Sequence, residues 1–274
     1  MLTKNIAKMI KENFQIKNVT ILRYKDKNIS ETTDFVAIEE PLQINIHGKA
    51  TTVTMRTPGD DVALALGFLF TEGLISSYDD IDDVLQVSSN EVNVLPNISI
   101  KPESTDRNFY ATSSCGVCGK SSVDAIAATS KYMPAATEIV IDPFILTTLQ
   151  DKLLSVQSAF ESTGGIHASA LFKNDGSYMY HSEDVGRHNA LDKLIGHALM
   201  ADRLPLKDHI LLLSGRASFE LIQKASMAGI GFVVSVGAPS SLAIAIALKN
   251  NITLVGFTKK SGFNIYSAPH RIQQ

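Results

Sequence analysis

Ile210-Leu211-Leu212-Leu213-Ser214-Gly215-Arg216-Ala217-Ser218 decides the fold class of this chain. Four consecutive apolar residues are a strand shielded on both faces, and the small polar turn behind them opens a helix predicted over 217–228. The same grammar recurs on either side. Glu183-Asp184-Val185-Gly186-Arg187-His188-Asn189 leads from a strand into a helix, and Gly237-Ala238-Pro239-Ser240-Ser241 opens another. Gly164-Gly165-Ile166-His167 leads into a strand.

Working outward, strands are predicted near 138–142, 167–173, 178–181, 209–213, 232–236 and 252–257. Helices are predicted near 121–131, 143–161, 187–202, 217–228 and 240–249. This alternation specifies an α/β fold, a mixed or largely parallel sheet covered by helices. The first hundred residues read differently. After a short amphipathic helix at 4–12 come strand-like runs at 18–24, 33–39, 42–47 and 50–56. Thr57-Pro58-Gly59-Asp60 then caps a helix over 61–71, and 83–88 with 91–95 form a hairpin. The polar stretch 101–110 is the best linker. The chain divides into a smaller β-rich part, 1–105, and an α/β part, 106–274.

In open α/β sheets, strand exits converge on one crevice, where helix N-termini and arginines suit an anion. Arg187 and Arg216 stand at two of these exits. Each alone is a solvated cap; their recurrence beside glycine and serine favours one shared anion site.

The linker runs into Thr112-Ser113-Ser114-Cys115-Gly116-Val117-Cys118-Gly119-Lys120-Ser121, which holds both cysteines of the 274 residues. Spaced i, i+3, they can pair, share a metal or pass a sulfur atom. A thiol ahead of a predicted helix start, with Lys120 beside it, is expected to be partly thiolate. Gly119-Lys120-Ser121 lacks the earlier glycine of a phosphate-binding loop, because Ser114 stands there. A zinc deaminase pairs a CxxC with H-x-E, and His181-Ser182-Glu183 is present, but in the wrong order and without the proline before the first cysteine. A thioredoxin-like motif would follow a strand early in a smaller domain. A non-catalytic binding module is the remaining class.

The totals are those of a globular chain: 45% hydrophobic, 19% charged, net charge −3. The charge gives no general attraction to nucleic acid or anionic membranes. Two cysteines make no disulfide framework, and no run is long enough to span a membrane, so a cytoplasmic protein is expected.

Taken together, the CxxC block, Gly164-Gly165-Ile166-His167-Ala168, Glu183 to Lys193, Leu213 to Glu220 and Ala238-Pro239-Ser240-Ser241-Leu242-Ala243 resemble the formate dehydrogenase accessory sulfurtransferase family, FdhD/NarQ. The resemblance runs from about Pro41 to Ser267. It implies a cytidine-deaminase-like fold in the C-terminal part without zinc chemistry, and a homodimer. It implies a sulfur relay: Cys115 carries a persulfide taken from an IscS-type cysteine desulfurase, and Cys118 supports or resolves it. The sulfur passes to the Mo-bis(molybdopterin guanine dinucleotide) cofactor, which formate dehydrogenase requires. The implied cofactor segment is Phe257-Thr258-Lys259-Lys260-Ser261-Gly262, and Phe257 reads equally as a stacking ring or as core. Arg187 and Arg216 would add charge partners for the guanine nucleotide.

Overall fold

In the computed structural model, residues 15–99, 109–110, 132 and 139–274 are described. Cys115, Cys118, Lys120 and the helices expected at 4–12 and 121–131 lie outside them, as does the boundary expected near 105.

Among the described residues the strands form three sheets. A two-stranded antiparallel ribbon joins β1 (Ile16–Lys25) to β2 (Asn28–Ala37). A five-stranded mixed sheet has the order β5-β6-β3-β4-β7, from β3 (Glu40–Ile46), β4 (Lys49–Arg56), β5 (Ile81–Ser88), β6 (Glu91–Pro96) and β7 (Phe109–Tyr110). A six-stranded mixed sheet has the order β13-β12-β11-β10-β8-β9. Its strands are β8 (His167–Lys173), β9 (Tyr178–Asp184), β10 (His209–Leu213), β11 (Phe232–Ser235), β12 (Thr253–Lys259) and β13 (Gly262–Ser267). β10, β11 and β12 are parallel neighbours; β8, β9 and β13 run antiparallel to the strands beside them.

The apolar run Ile210–Leu213 shows why this sheet is covered on both faces. Ile210 and Leu212 enter one hydrophobic cluster and Leu211 and Leu213 the other, and all four are buried. α2 (Pro143–Leu154) covers the first face through Leu146, Leu149 and Leu153. It starts where Asp142 accepts the Phe144 N–H at 2.8 Å, with Pro143 in the first turn, where a missing N–H costs nothing. The second face is covered by α4 (Arg187–Met200), α5 (Phe219–Met227) and α6 (Ser241–Lys249).

α1 (Asp61–Thr71) belongs to the N-terminal part but packs directly on α4. A Cβ on Gly67 would fall on the Asp192 carbonyl, and one on Gly196 would fall on the Ala63 carbonyl. The two glycines therefore let two helix backbones meet with no side chain between them. Leu42, Ile44, Val92 and Val94 of the five-stranded sheet share one cluster with Leu191, Leu211 and Val233. The β-rich and α/β parts are thus joined through a continuous core.

Several expectations are corrected. Of the strand expected over 138–142, the described residues 139–142 form none: Ile141 makes one isolated parallel bridge to Ile272, held by hydrogen bonds to Arg271 and Gln273. The helix expected over 143–161 breaks at Ser155–Gln157 and resumes as α3 (Ser158–Thr163), because Glu183 captures the N–H groups of Ala159 and Phe160. Asp60 does not cap α1 through its side chain; it sits at φ 57° and turns its carboxylate to His197, 3.4 Å away. That hydrogen bond, against the opposing effect of burial, holds Asp60 below the usual carboxylate range. β13 had no counterpart in the sequence reading.

Candidate functional site

The sheet brings all four small-residue exits to one edge. β9 and β10 end there, and β8, antiparallel to both, begins there. Ser214 Oγ accepts the Ala168 N–H at 2.8 Å and the Ser214 N–H donates to the Ala168 carbonyl at 3.0 Å. Gly215 lies against the His167 ring, so closely that a Cβ would stand 3.2 Å from Cε1 and Nδ1. Gly237 donates to the Gly215 carbonyl at 3.0 Å and packs on the Arg216 backbone. Phe257 donates to the Gly237 carbonyl at 3.2 Å, tying the end of β12 to the same place.

Two adjacent carboxylates set the walls. Asp184 accepts from Thr57 N at 3.2 Å, Gly186 N at 2.8 Å and Asn189 Nδ2 at 3.2 Å, and pairs with Lys193 at 2.8 Å. It fixes the turn that presents Arg187 and His188. Glu183 faces the other way and anchors the start of α3 through Ala159, Phe160 and Gln157. Burial pushes the Glu183 carboxyl up, but the bonds from His181 and the two backbone N–H groups outweigh it, leaving it lowered.

Another side of the edge holds Arg187, His167 and His188. Arg187 Nε is buried with no hydrogen-bond partner among the described residues. A buried donor left unpaired carries a desolvation penalty that a ligand's oxygen would remove. His167 is lowered first by burial and then by Arg187. His188 is lowered to about 3, chiefly by burial, with Lys224, Arg187 and His167 adding to it. Its Nε2 is 3.3 Å from Ser218 Oγ and 3.9 Å from Glu220. Both rings are therefore neutral near pH 7. At the starts of α4 and α5 no N-cap side chain accepts from the first turn, and a helix N-terminus favours negative charge. An arginine with an orphaned Nε beside two helix starts without side-chain caps is a setting that favours an anion.

Beside this edge, below α2 and α3, lies a cavity of about 380 Å³. Leu153, Leu154, Phe160, Ile166 and Val236 supply its apolar walls, and Gln150, His167 and Ser214 its polar rim.

The expected cofactor segment is distributed more widely. Phe257 is half exposed, with φ 55° in an irregular part of the β12–β13 pairing. Thr258 is buried, and its Oγ1 has no partner among the described residues. Lys259 and Ser261 are exposed, and Gly262 begins β13 at φ 139°. Lys260 reaches Asp151 on α2 at 3.0 Å. Arg216 is exposed at the turn after β10. His181 is held by Tyr178 at 2.7 Å and stands 3.8 Å from Glu183, so the H-x-E pair serves the wall of α3. Sequence reasoning found the turns but not the paired histidines within them; Ile166-His167 and Arg187-His188 were the available signal.

β7 runs parallel to β4, with Tyr110 level with Val53. β7 thus points toward the end of β4, where Thr57 joins Asp184 and Val185. Among the described residues no helix is long and apolar enough to cross a membrane.

Residues 37–273 match the FdhD/NarQ family. A sulfur carrier protein FdhD from Streptomyces avermitilis is 45% identical over 264 residues, covering 92% of this chain and 94% of that protein. One from Sulfolobus acidocaldarius is 42% identical over 258 residues, covering 94% and 99%. In fold, the chain is similar to the crystal structure of a candidate formate dehydrogenase accessory protein from Desulfotalea psychrophila. That match has a TM-score of 0.73 and 23% identity, and covers 94% of this chain and all of that one.

Proposed function

This chain belongs to the FdhD/NarQ family, and from that membership we propose that it is a sulfur carrier for formate dehydrogenase maturation, loaded as a persulfide on Cys115. The observation that carries the reading is the extent of the match. It spans the CxxC and every crevice residue in one alignment, and the relatives over that length are sulfur carriers.

Loading is a thiol–persulfide exchange. The Cys115 thiolate attacks the outer sulfur of a cysteine desulfurase persulfide of the IscS type. The donor's S–S bond breaks, its cysteine leaves as a thiolate, and Cys115 holds the sulfur. Delivery reverses the polarity. With the outer sulfur bonded to the acceptor, the Cys118 thiolate attacks Cys115 Sγ. The bond between Cys115 and the carried sulfur breaks, and the sulfur departs with both electrons at the sulfide level. A Cys115–Cys118 disulfide remains, which a cellular thiol reductant reopens. Each step needs an attacking thiolate: Cys115 in loading, where the donor's cysteine is the leaving group, and Cys118 in delivery, where the carried sulfur is.

The acceptor in this reading is the Mo-bis(molybdopterin guanine dinucleotide) cofactor, bound as a substrate. Arg187, Arg216 and the starts of α4 and α5 would hold its phosphates, and the Phe257–Gly262 segment would contribute from the neighbouring strand. Zinc has no part in this scheme. The protein would act as a cytoplasmic homodimer, in the compartment that keeps its thiols reduced.

Mass spectrometry of the full chain after incubation with desulfurase and cysteine is expected to show one added sulfur on Cys115. A Cys115→Ala variant that still activated formate dehydrogenase would overturn the relay.

A further inference from the structure

We infer that the outward face of α6 is a self-association surface, which packs antiparallel on α6 of a second copy of this chain about a two-fold axis beside Ala245. The contact is independent of the sulfur-carrier chemistry.

α6 reads Ser241-Leu242-Ala243-Ile244-Ala245-Ile246-Ala247-Leu248-Lys249, apolar at seven of nine positions, with one charge at its last residue. A helix that covers a sheet needs one apolar stripe, and a helix that is apolar all round belongs in a buried setting. α6 is covered on one side only. Ala243 and Ala247 are fully buried in the core, and Ile244 and Ile246 pack against it half-buried. The elements packed on the helix, α5, β12 and β13, leave the opposite face open. There Ala245 is exposed, Leu242 is 42% exposed and Leu248 is 59% exposed.

The spacing on this bare face identifies its occupant. Ala245 lies at the middle of the exposed arc. Leu242 stands three residues before it and Leu248 three residues after, about 60° to either side at 3.6 residues per turn. Reversing the helix exchanges the two leucines and leaves the alanine in place. The face is therefore complementary to itself, as an isologous two-fold interface requires. In the pair the two alanines meet at the axis, where their size lets the helices approach closely, and Leu248 of one copy lies beside Leu242 of the other.

Charge favours the same occupant. A lipid surface would call for basic residues along the margins of the apolar strip, and α6 has only Lys249. A different protein would find no charge beside Ala245 to fix its orientation. Lys249 is exposed at the end of the helix, one turn from the alanine contact, where it stays in water. Nine residues from each copy bury less than the roughly 1,200 Å² of a standard interface, so the pairing is of the weak, concentration-dependent class.

Sedimentation of the full chain from micromolar to millimolar concentration tests this surface. The unmodified protein is expected to double its mass as concentration rises. Ala245→Glu sets two carboxylates against each other at the axis and is expected to abolish that doubling with an unchanged melting temperature. In a chain carrying Cys115→Ser and Cys118→Ser, Ala245→Cys is expected to give a disulfide-linked pair on mild oxidation, and Lys207→Cys, an exposed position on another loop, is not. A mass that does not rise with concentration would overturn the inference, as would a rise that Ala245→Glu leaves intact or cross-linking of Ala245→Cys no greater than that of Lys207→Cys. Binding of the unmodified protein to phosphatidylcholine vesicles that Ala245→Glu removes, with no doubling of mass, would give the face to lipid and overturn it as well.

Discussion

Lys193 Nζ lies 2.8 Å from Asp184 Oδ2, and solvent reaches neither side chain. Lys193 also donates to the Thr57 carbonyl at 2.8 Å, so one ammonium joins the N-terminal part to the turn that carries Arg187 and His188. Burial raises the Asp184 acid, and the neighbouring ammonium opposes that rise. A second buried pair starts from the neighbouring residue of α4: Lys224 meets Asp192 at 2.9 Å and Thr71 Oγ1 at 2.9 Å, binding α5 and α4 to α1.

Lys193→Met is expected to cost about 3–5 kcal/mol, because it leaves a buried carboxylate without its counter-charge. Urea unfolding measures this. A loss below about 1 kcal/mol, the range of exposed pairs, would show that the ion pair does not organise the turn.

Gly67→Ala and Gly196→Ala are each expected to destabilise the fold by about 1–3 kcal/mol or more. In both the new methyl meets a backbone carbonyl of the facing helix, which no side-chain rotation relieves. Gly165→Ala is the control, since its Cβ has room. Equal melting temperatures for all three variants would contradict the helix crossing.

Stability should fall on the acid side in two overlapping windows. His188 takes up its proton near 6.5 when unfolded but only near about 3 when folded. The unfolded chain therefore binds more protons between these values, and stability declines as pH drops from 6.5 toward 3. His188→Gln should flatten that decline. Glu183, lowered in the fold, contributes stability above its ordinary value of 4.5 that is lost as pH falls through its lower folded value. Chemical denaturation across pH reads both, and a His188→Gln profile parallel to that of the parent would refute the first.

Arg187→Ala should weaken binding of GDP and of pyrophosphate together, by about tenfold or more, the worth of a charge-assisted hydrogen bond. Arg216→Ala should have a smaller effect, because its side chain is exposed and screened by solvent and salt. Unchanged affinity in both variants would make these arginines solvated caps.

Local order explains what was legible without coordinates. Leu211 and Leu213 face one layer and Ile210 and Leu212 the other, so an unbroken apolar run was a sound sign of a strand with helices on both sides. The turns after β9, β10 and β11 carried Gly, Ser and Arg because chain reversal and helix starts demand such residues within a few positions. Where local signals were weak the reading failed. Val140 and Ile141 look like a strand, yet only Ile141 finds a partner, Ile272, far away in the chain.

By itself the sequence determined the α/β class, the succession of strands and helices, the four exits and the family, because each is written in short-range periodicity or contiguous motifs. Only the tertiary structure decided that Gly67 and Gly196 meet facing backbones, that Lys193 belongs to Asp184 and Lys224 to Asp192, and that a cavity opens beside His167. These relationships join residues from nine to more than a hundred positions apart. Burial and close packing select such partners, and no local pattern encodes them.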